Sequence, residues 1–150
     1  MDVGCGDAEL LIQIAKRNEI AELYCTDPYI EDARNNIKRK GYCSRIKCIR
    51  AEAENIHLEN HSFDFIYSFR SLHEFSDPVK ALKEIKRLLT RDGQMLIVDW
   101  KKGAPTGVQE KYYGKEELKE FLKLAGYDEH KIRIEESGRF NIMSYSGKQS

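Results

Sequence analysis

Three observations predict that the 150-residue sequence folds as a doubly wound α/β sheet. Short strand-like apolar runs alternate with segments of helical periodicity from residue 2 to residue 100. The run Gln94 to Trp100 is nearly continuous in apolar side chains, as in a strand covered on both faces. The first run passes into a helix through glycines, in Asp2-Val3-Gly4-Cys5-Gly6-Asp7-Ala8. In such sheets a ligand lies beyond the carboxyl ends of the strands, near the point where strand order reverses.

Gly4 and Gly6 let the backbone turn tightly and approach a ligand, and the amides opening the helix after Asp7 face any carboxylate or phosphate there. A glycine turn of this kind is shared by nucleotide-binding and purely structural turns. Residues 8–17 put Leu10, Leu11 and Ile14 on one helical face, and residues 21–26 read as the second strand. A helix from Pro28 places Ile30, Ala33 and Ile37 inward and stops at Gly41, and Arg45 to Arg50 forms a third strand. Residues 63–68 form a fourth. Asp77 and Pro78 supply an N-cap and a first-turn proline for a helix with Val79, Leu82, Ile85, Leu88 and Leu89 in one stripe, ended by Asp92-Gly93.

After the fifth strand, at 94–100, a loop with Gly103, Pro105 and Gly107 leads to a helix at 115–125 with Leu118, Phe121 and Leu122 inward. Its Glu117 lies in the first turn, where a carboxylate suits the helix dipole. Runs at 131–135 and 140–145 are joined by a connection so short that they must be antiparallel. A dinucleotide-binding domain would continue with parallel strands, so this hairpin points to another cofactor.

Twenty-five basic and twenty-five acidic residues cancel, which argues against nucleic acid or anionic lipid as a partner recruited by bulk charge. One local exception is the set Arg34, Lys38, Arg39, Lys40, Arg45, Lys47 and Arg50, read as a helix and strand at the sheet edge, where such residues deter edge pairing. No apolar run approaches the ~20 residues of a membrane helix, and the chain does not open as a signal peptide, so the expected location is cytoplasmic. Cys5, Cys25, Cys43 and Cys48 contain no C-x-x-C pair, so reduced thiols are expected and no metal site.

The stretches D-V-G-C-G-D-A at 2–8, Asp27, A-E-A-E-N-I-H-L-E-N-H-S-F-D at 51–64, S-L-H-E-F-S-D-P at 71–78 and L-L-T-R-D-G-Q-M-L-I-V-D-W at 88–100 occur in the order of one known family. Together they resemble the class I S-adenosylmethionine-dependent methyltransferases, and within them the type 11 group related to the ubiquinone and menaquinone C-methylating enzymes. The resemblance implies a Rossmann-like, seven-stranded, mostly parallel sheet with an antiparallel C-terminal strand, and S-adenosylmethionine as cofactor with S-adenosylhomocysteine as product. It also implies that Gly4, Cys5 and Gly6 wrap the methionine part of the cofactor, that Asp2 or Asp7 faces its amino group, and that Asp27 accepts both ribose hydroxyls. Pro28, Tyr29 and Ser68 would line the same site, while Glu52 and the Ala53 amide would meet the adenine; the alternative for Tyr29 is a partly exposed aromatic capping a helix start. Ala8 stands where the family commonly has a third glycine.

Methyl transfer from a sulfonium is an in-line displacement on an activated donor, so positioning matters most and a general base is optional. Tyr67, Arg70, His73, Glu74 and Asp99 follow the fourth and fifth strands. His73 is the candidate base, since its charge changes near neutrality, and its alternative is a packing role. Phe69 and Trp100 are candidate walls of an acceptor pocket, against the commoner role of an aromatic at a strand end as core. His57, His61 and His130 read as solvated. Members of the family generally carry a helix before the first strand, whereas here Gly4 is the fourth residue. The expectation is therefore a single domain over 1–150, truncated at its N-terminus, acting on a small-molecule acceptor. A non-catalytic binding or regulatory protein and an RNA methyltransferase are the alternatives, and an NAD-dependent oxidoreductase fits least.

Overall fold

The computed structural model describes residues 1–148. Seven strands form one sheet: β1 (Asp2–Val3), β2 (Leu23–Asp27), β3 (Ile46–Arg50), β4 (Phe63–Phe69), β5 (Leu89–Trp100), β6 (Ile132–Ser137) and β7 (Phe140–Ser146). Their spatial order is β3-β2-β1-β4-β5-β7-β6, parallel except for β7, which runs against both β5 and β6. Helices α1 (Glu9–Arg17) and α2 (Glu31–Arg39) pack on one face, α3 (Pro78–Leu88) and α4 (Lys115–Leu124) on the other. Strand order reverses between β1 and β4, so their carboxyl ends open a crevice there.

Local chemistry accounts for most boundaries. The Asp77 carboxylate accepts the Lys80 amide at 2.9 Å and Pro78 opens α3. Gly41 and Gly126, both with positive φ, close α2 and α4, and the amides of Tyr42 and Tyr127 reach back to the Ile37 and Leu122 carbonyls. Glu117 accepts the Gly114 amide at 2.9 Å.

Three expectations shift. Leu11, Ile12 and Ala15 form the buried stripe of α1 while Leu10 is 40% exposed, because the turn entering the helix rotates it by about one residue. Helix α2 begins at Glu31, after a turn over 28–30. Helix α3 ends at Leu88, and residues 89–93 join β5, whose register against β4 breaks between Phe63 and Phe65.

The two faces are covered unequally. On the face of α1 and α2, apolar packing reaches Tyr67 and Leu96. Beyond them Phe65 and Phe69 are exposed, and Val98, Trp100, Phe140 and Ile142 only half-buried. Strand β1 contributes two residues, and past it the rings of Tyr24 on β2 and Phe63 on β4 meet edge-to-face at 5.1 Å.

Candidate functional site

The glycine turn is held by its backbone. The amides of Gly4 and Cys5 donate to the Thr26 carbonyl at 2.8 and 3.1 Å, and Gly4, Gly6 and Ala8 have φ of 74°, 55° and 59°. The two glycines serve different ends. A Cβ on Gly4 would stand 2.7 Å from the Ser71 Cβ, so Gly4 is needed for close packing against the segment after β4. The Ser71 hydroxyl donates to the Gly4 carbonyl at 2.7 Å. A Cβ on Gly6 would meet nothing within 4 Å, so Gly6 supplies a left-handed conformation beside open space. Ala8 adopts the same left-handed region with a buried methyl group, a conformation costing about 1–2 kcal/mol for an L-residue.

Asp27, at the end of β2, faces this turn. Its Oδ2 accepts the Gly6 amide at 3.0 Å and its Oδ1 the Tyr29 amide at 2.8 Å. A carboxylate offers about four lone-pair sites, so acceptor capacity remains for two hydroxyl donors. Tyr29 is 81% exposed beside it, and the Arg50 guanidinium donates to the Pro28 carbonyl. Glu52 is exposed just past β3, next to the buried Ala53. Asp7 is exposed and accepts the Glu9 amide, while its carbonyl receives the buried Asn36 side chain at 2.9 Å.

Asp2 and Ser68 lie inside. Asp2 is buried beside the Tyr67 hydroxyl, and burial pushes its carboxyl pKa up to about 7 despite that hydroxyl and the Met1 ammonium. The same burial, and the neighbouring Asp2, raise the Tyr67 phenol. Neither Tyr67 nor Ser68 has a hydrogen-bond partner of ordinary geometry for its hydroxyl. The Cys25 and Cys48 sulfurs, in register on β2 and β3, are 3.3 Å apart as free thiols.

At the carboxyl ends of β4 and β5 the arrangement is built from side chains. The His73 ring is 4% exposed, with Nδ1 2.7 Å from Asp99 Oδ1 and Nε2 2.8 Å from Glu110 Oε2. Asp99, whose pKa burial raises, also accepts the His73 amide at 2.8 Å. The Nδ1 hydrogen bond fixes the ring on Asp99, and Nε2 faces the partly exposed Glu110 carboxylate. The loop 101–114 is thus tied down through Glu110, and Asn141, opposite Asp99 on β7, donates to the Tyr113 carbonyl at 2.9 Å. Glu110, Ser71, Asn36 and Asn141 escaped the sequence reading, since nothing local marks a residue whose partner is distant along the chain.

Six of the seven basic residues at 34–50 are engaged internally. Arg34 and Arg50 pair with Glu31, Lys40 with Glu9, and Arg39 donates to the Asn36 side-chain oxygen. Arg45 donates to the Asn18 carbonyl and Lys47 to the Tyr24 hydroxyl. Strand β3 is indeed an edge.

Residues 1–97 match the profile of the type 11 methyltransferase domain. The chain belongs to that family. Its members are S-adenosylmethionine-dependent, with S-adenosylhomocysteine as the product form. Over 116 residues it is 23% identical to a ubiquinone/menaquinone biosynthesis C-methyltransferase of Idiomarina loihiensis, covering 75% of this chain and 46% of that protein. It is 31% identical over 126 residues to a mitochondrial arginine hydroxylase of Danio rerio, covering 83% of this chain and 35% of that one. The crystal structure of an S-adenosylmethionine-dependent methyltransferase from Aquifex aeolicus superposes with a TM-score of 0.74 and 28% identity, over 97% of this chain and 79% of that chain. The chain thus spans less than half the length of these two curated relatives. Among the described residues, no helix is long and apolar enough to cross a membrane.

Proposed function

We propose that this protein is a methyltransferase that moves a methyl group from S-adenosylmethionine to a small-molecule acceptor. The observation that carries the reading is the Asp27 carboxylate, fixed by two amides beside the open Gly6 turn at the switch point. When bound, the cofactor supplies a sulfonium methyl open to in-line attack. The chain's part is to bind and orient: Asp27 accepts ribose hydroxyls with its remaining lone pairs, and Gly4, Cys5 and Gly6 leave space for the methionine portion. Tyr29, Pro28, Glu52 and the Ala53 amide flank the base, and Asp7 stands at the exposed end of the turn, where an amino group would meet it. Asp2 and Ser68 support the site from beneath.

His73 serves as a positioning residue in this reading, because its buried ring is clamped between Asp99 at Nδ1 and Glu110 at Nε2, which ties the loop 101–114 to the end of β5. The internal pairing of residues 34–50 supports a small-molecule acceptor over RNA. The test is transfer of a labelled methyl group, measured against a panel of low-mass nucleophiles and against bulk RNA. Label in a low-mass product supports the reading. Label confined to RNA, or cofactor binding with no transfer at all, overturns it.

A further inference from the structure

The ends of β4, β5 and β7 carry a cation that the methyl-transfer reading leaves without a task. Arg70 directly follows β4 and has a φ of 56°. That region strains any residue with a Cβ, and such strain concentrates at sites that use it. Its amide is fixed to the Val98 carbonyl at 2.7 Å. Its guanidinium carbon lies 5.4 Å from the centre of the Phe69 ring and 5.5 Å from that of Trp100. Trp100 in turn stacks on Phe140 at 4.5 Å. Arg70 is exposed and, among the described residues, no carboxylate pairs with it, whereas Arg34, Arg50 and Arg87 each hold one. A guanidinium lying against aromatic rings keeps its in-plane N–H fork free for an oxyanion.

We infer that Arg70, with Phe69, Trp100 and Phe140, forms the recognition site for a flat aromatic acceptor carrying a carboxylate. This rests on the proposed methyl transfer and names its substrate class. Ser71, the next residue, is hydrogen-bonded to Gly4, so the cation stands beside the turn assigned to the cofactor. The carboxylate meets the fork, the aromatic body lies along the half-buried rings, and the acceptor enters from the carboxyl ends of the strands. The strain at residue 70 turns the side chain onto the rings.

The probe pair is 2-naphthoate and 2-naphthamide, equal in shape and different in charge, added to protein saturated with S-adenosylhomocysteine. Binding is followed at the indole N–H resonance of Trp100, the only tryptophan. The acid should bind about tenfold more tightly than the amide or better, Arg70→Met should erase that preference, and Arg70→Lys should keep part of it. Arg70→Gly should raise Tm while losing the preference, whereas a merely structural arginine would lower Tm on removal. Equal binding of acid and amide, a preference that survives Arg70→Met, or a Trp100 resonance that neither probe moves at about 10 mM would each overturn the inference. If S-adenosylhomocysteine itself fails to bind, the methyl-transfer reading falls, while the same probe pair on the free protein still decides this one.

Discussion

The carboxyl ends of β1, β2 and β3 and the rim made by the carboxyl ends of β4 and β5 with the amino end of β7 are built by different means. On the first side the backbone dominates: positive φ at residues 4, 6 and 8, amides donating to the Thr26 carbonyl, and one carboxylate receiving two more amides. On the second side, side chains from segments far apart in sequence converge, with His73 held by Asp99 and Glu110, and Arg70 by Phe69 and Trp100. A backbone-built site depends on what can be accommodated at a few positions. A side-chain-built site depends on partners, so losing one strands another.

The largest effect expected is on the backbone side. Gly4→Ala forces a Cβ against Ser71 in a left-handed conformation and should destabilise folding by about 3 kcal/mol or more, read by urea denaturation. Gly6→Ala, with open space around it, should cost only about 1–2 kcal/mol while still weakening cofactor binding. Equal losses at the two glycines would erase the distinction drawn between them. On the other side, His73→Ala leaves Asp99 buried and unpaired, at a cost of about 3 kcal/mol, whereas Glu110→Gln should mainly increase proteolysis within 101–114.

A pH experiment probes the buried carboxylate beneath the glycine turn. Asp2 has its pKa raised to about 7 by burial, so the folded state holds a proton there that the unfolded chain releases near pH 4. Its contribution to stability is therefore present below about pH 4 and is lost as pH rises to about 7, on the order of 4 kcal/mol in all. Asp2→Asn should remove that slope, gaining on the wild type from about pH 4 to about pH 8 in denaturant titrations. Parallel curves would mean that Asp2 ionises freely in the fold. The smallest effect is Ala8→Gly, where relief of the left-handed strain is offset by a lost buried methyl and a more flexible unfolded chain, for a net change under about 1 kcal/mol in thermal unfolding.

This division explains what could be read from sequence. The glycine turn, Asp27, the Asp77-Pro78 helix start and the terminal hairpin are local, because each depends on residues within a few positions, and each is where its pattern placed it. The buried stripe of α1 was displaced by a residue, since Leu10, Leu11 and Ile14 satisfy helical spacing as well as Leu11, Ile12 and Ala15 do; only the incoming turn decides between them. The pairing of His73 with Glu110 spans a loop with no periodicity, and the role of Ser71 depends on its meeting Gly4 across the sheet. The inward placement of Asp2 follows from strand pairing with Cys25 and Tyr67 on both sides, which no short motif encodes.

In the proposed function the Gly4–Gly6 turn and Asp27 together hold a methyl-donor nucleoside. Calorimetric titration with S-adenosylhomocysteine tests it most directly. The wild type should bind with a dissociation constant of about 1–100 µM, weakened about 100-fold or more in Asp27→Ala with the fold intact by circular dichroism. Unchanged affinity in that variant, or binding of NAD in place of the sulfur nucleoside, would contradict it.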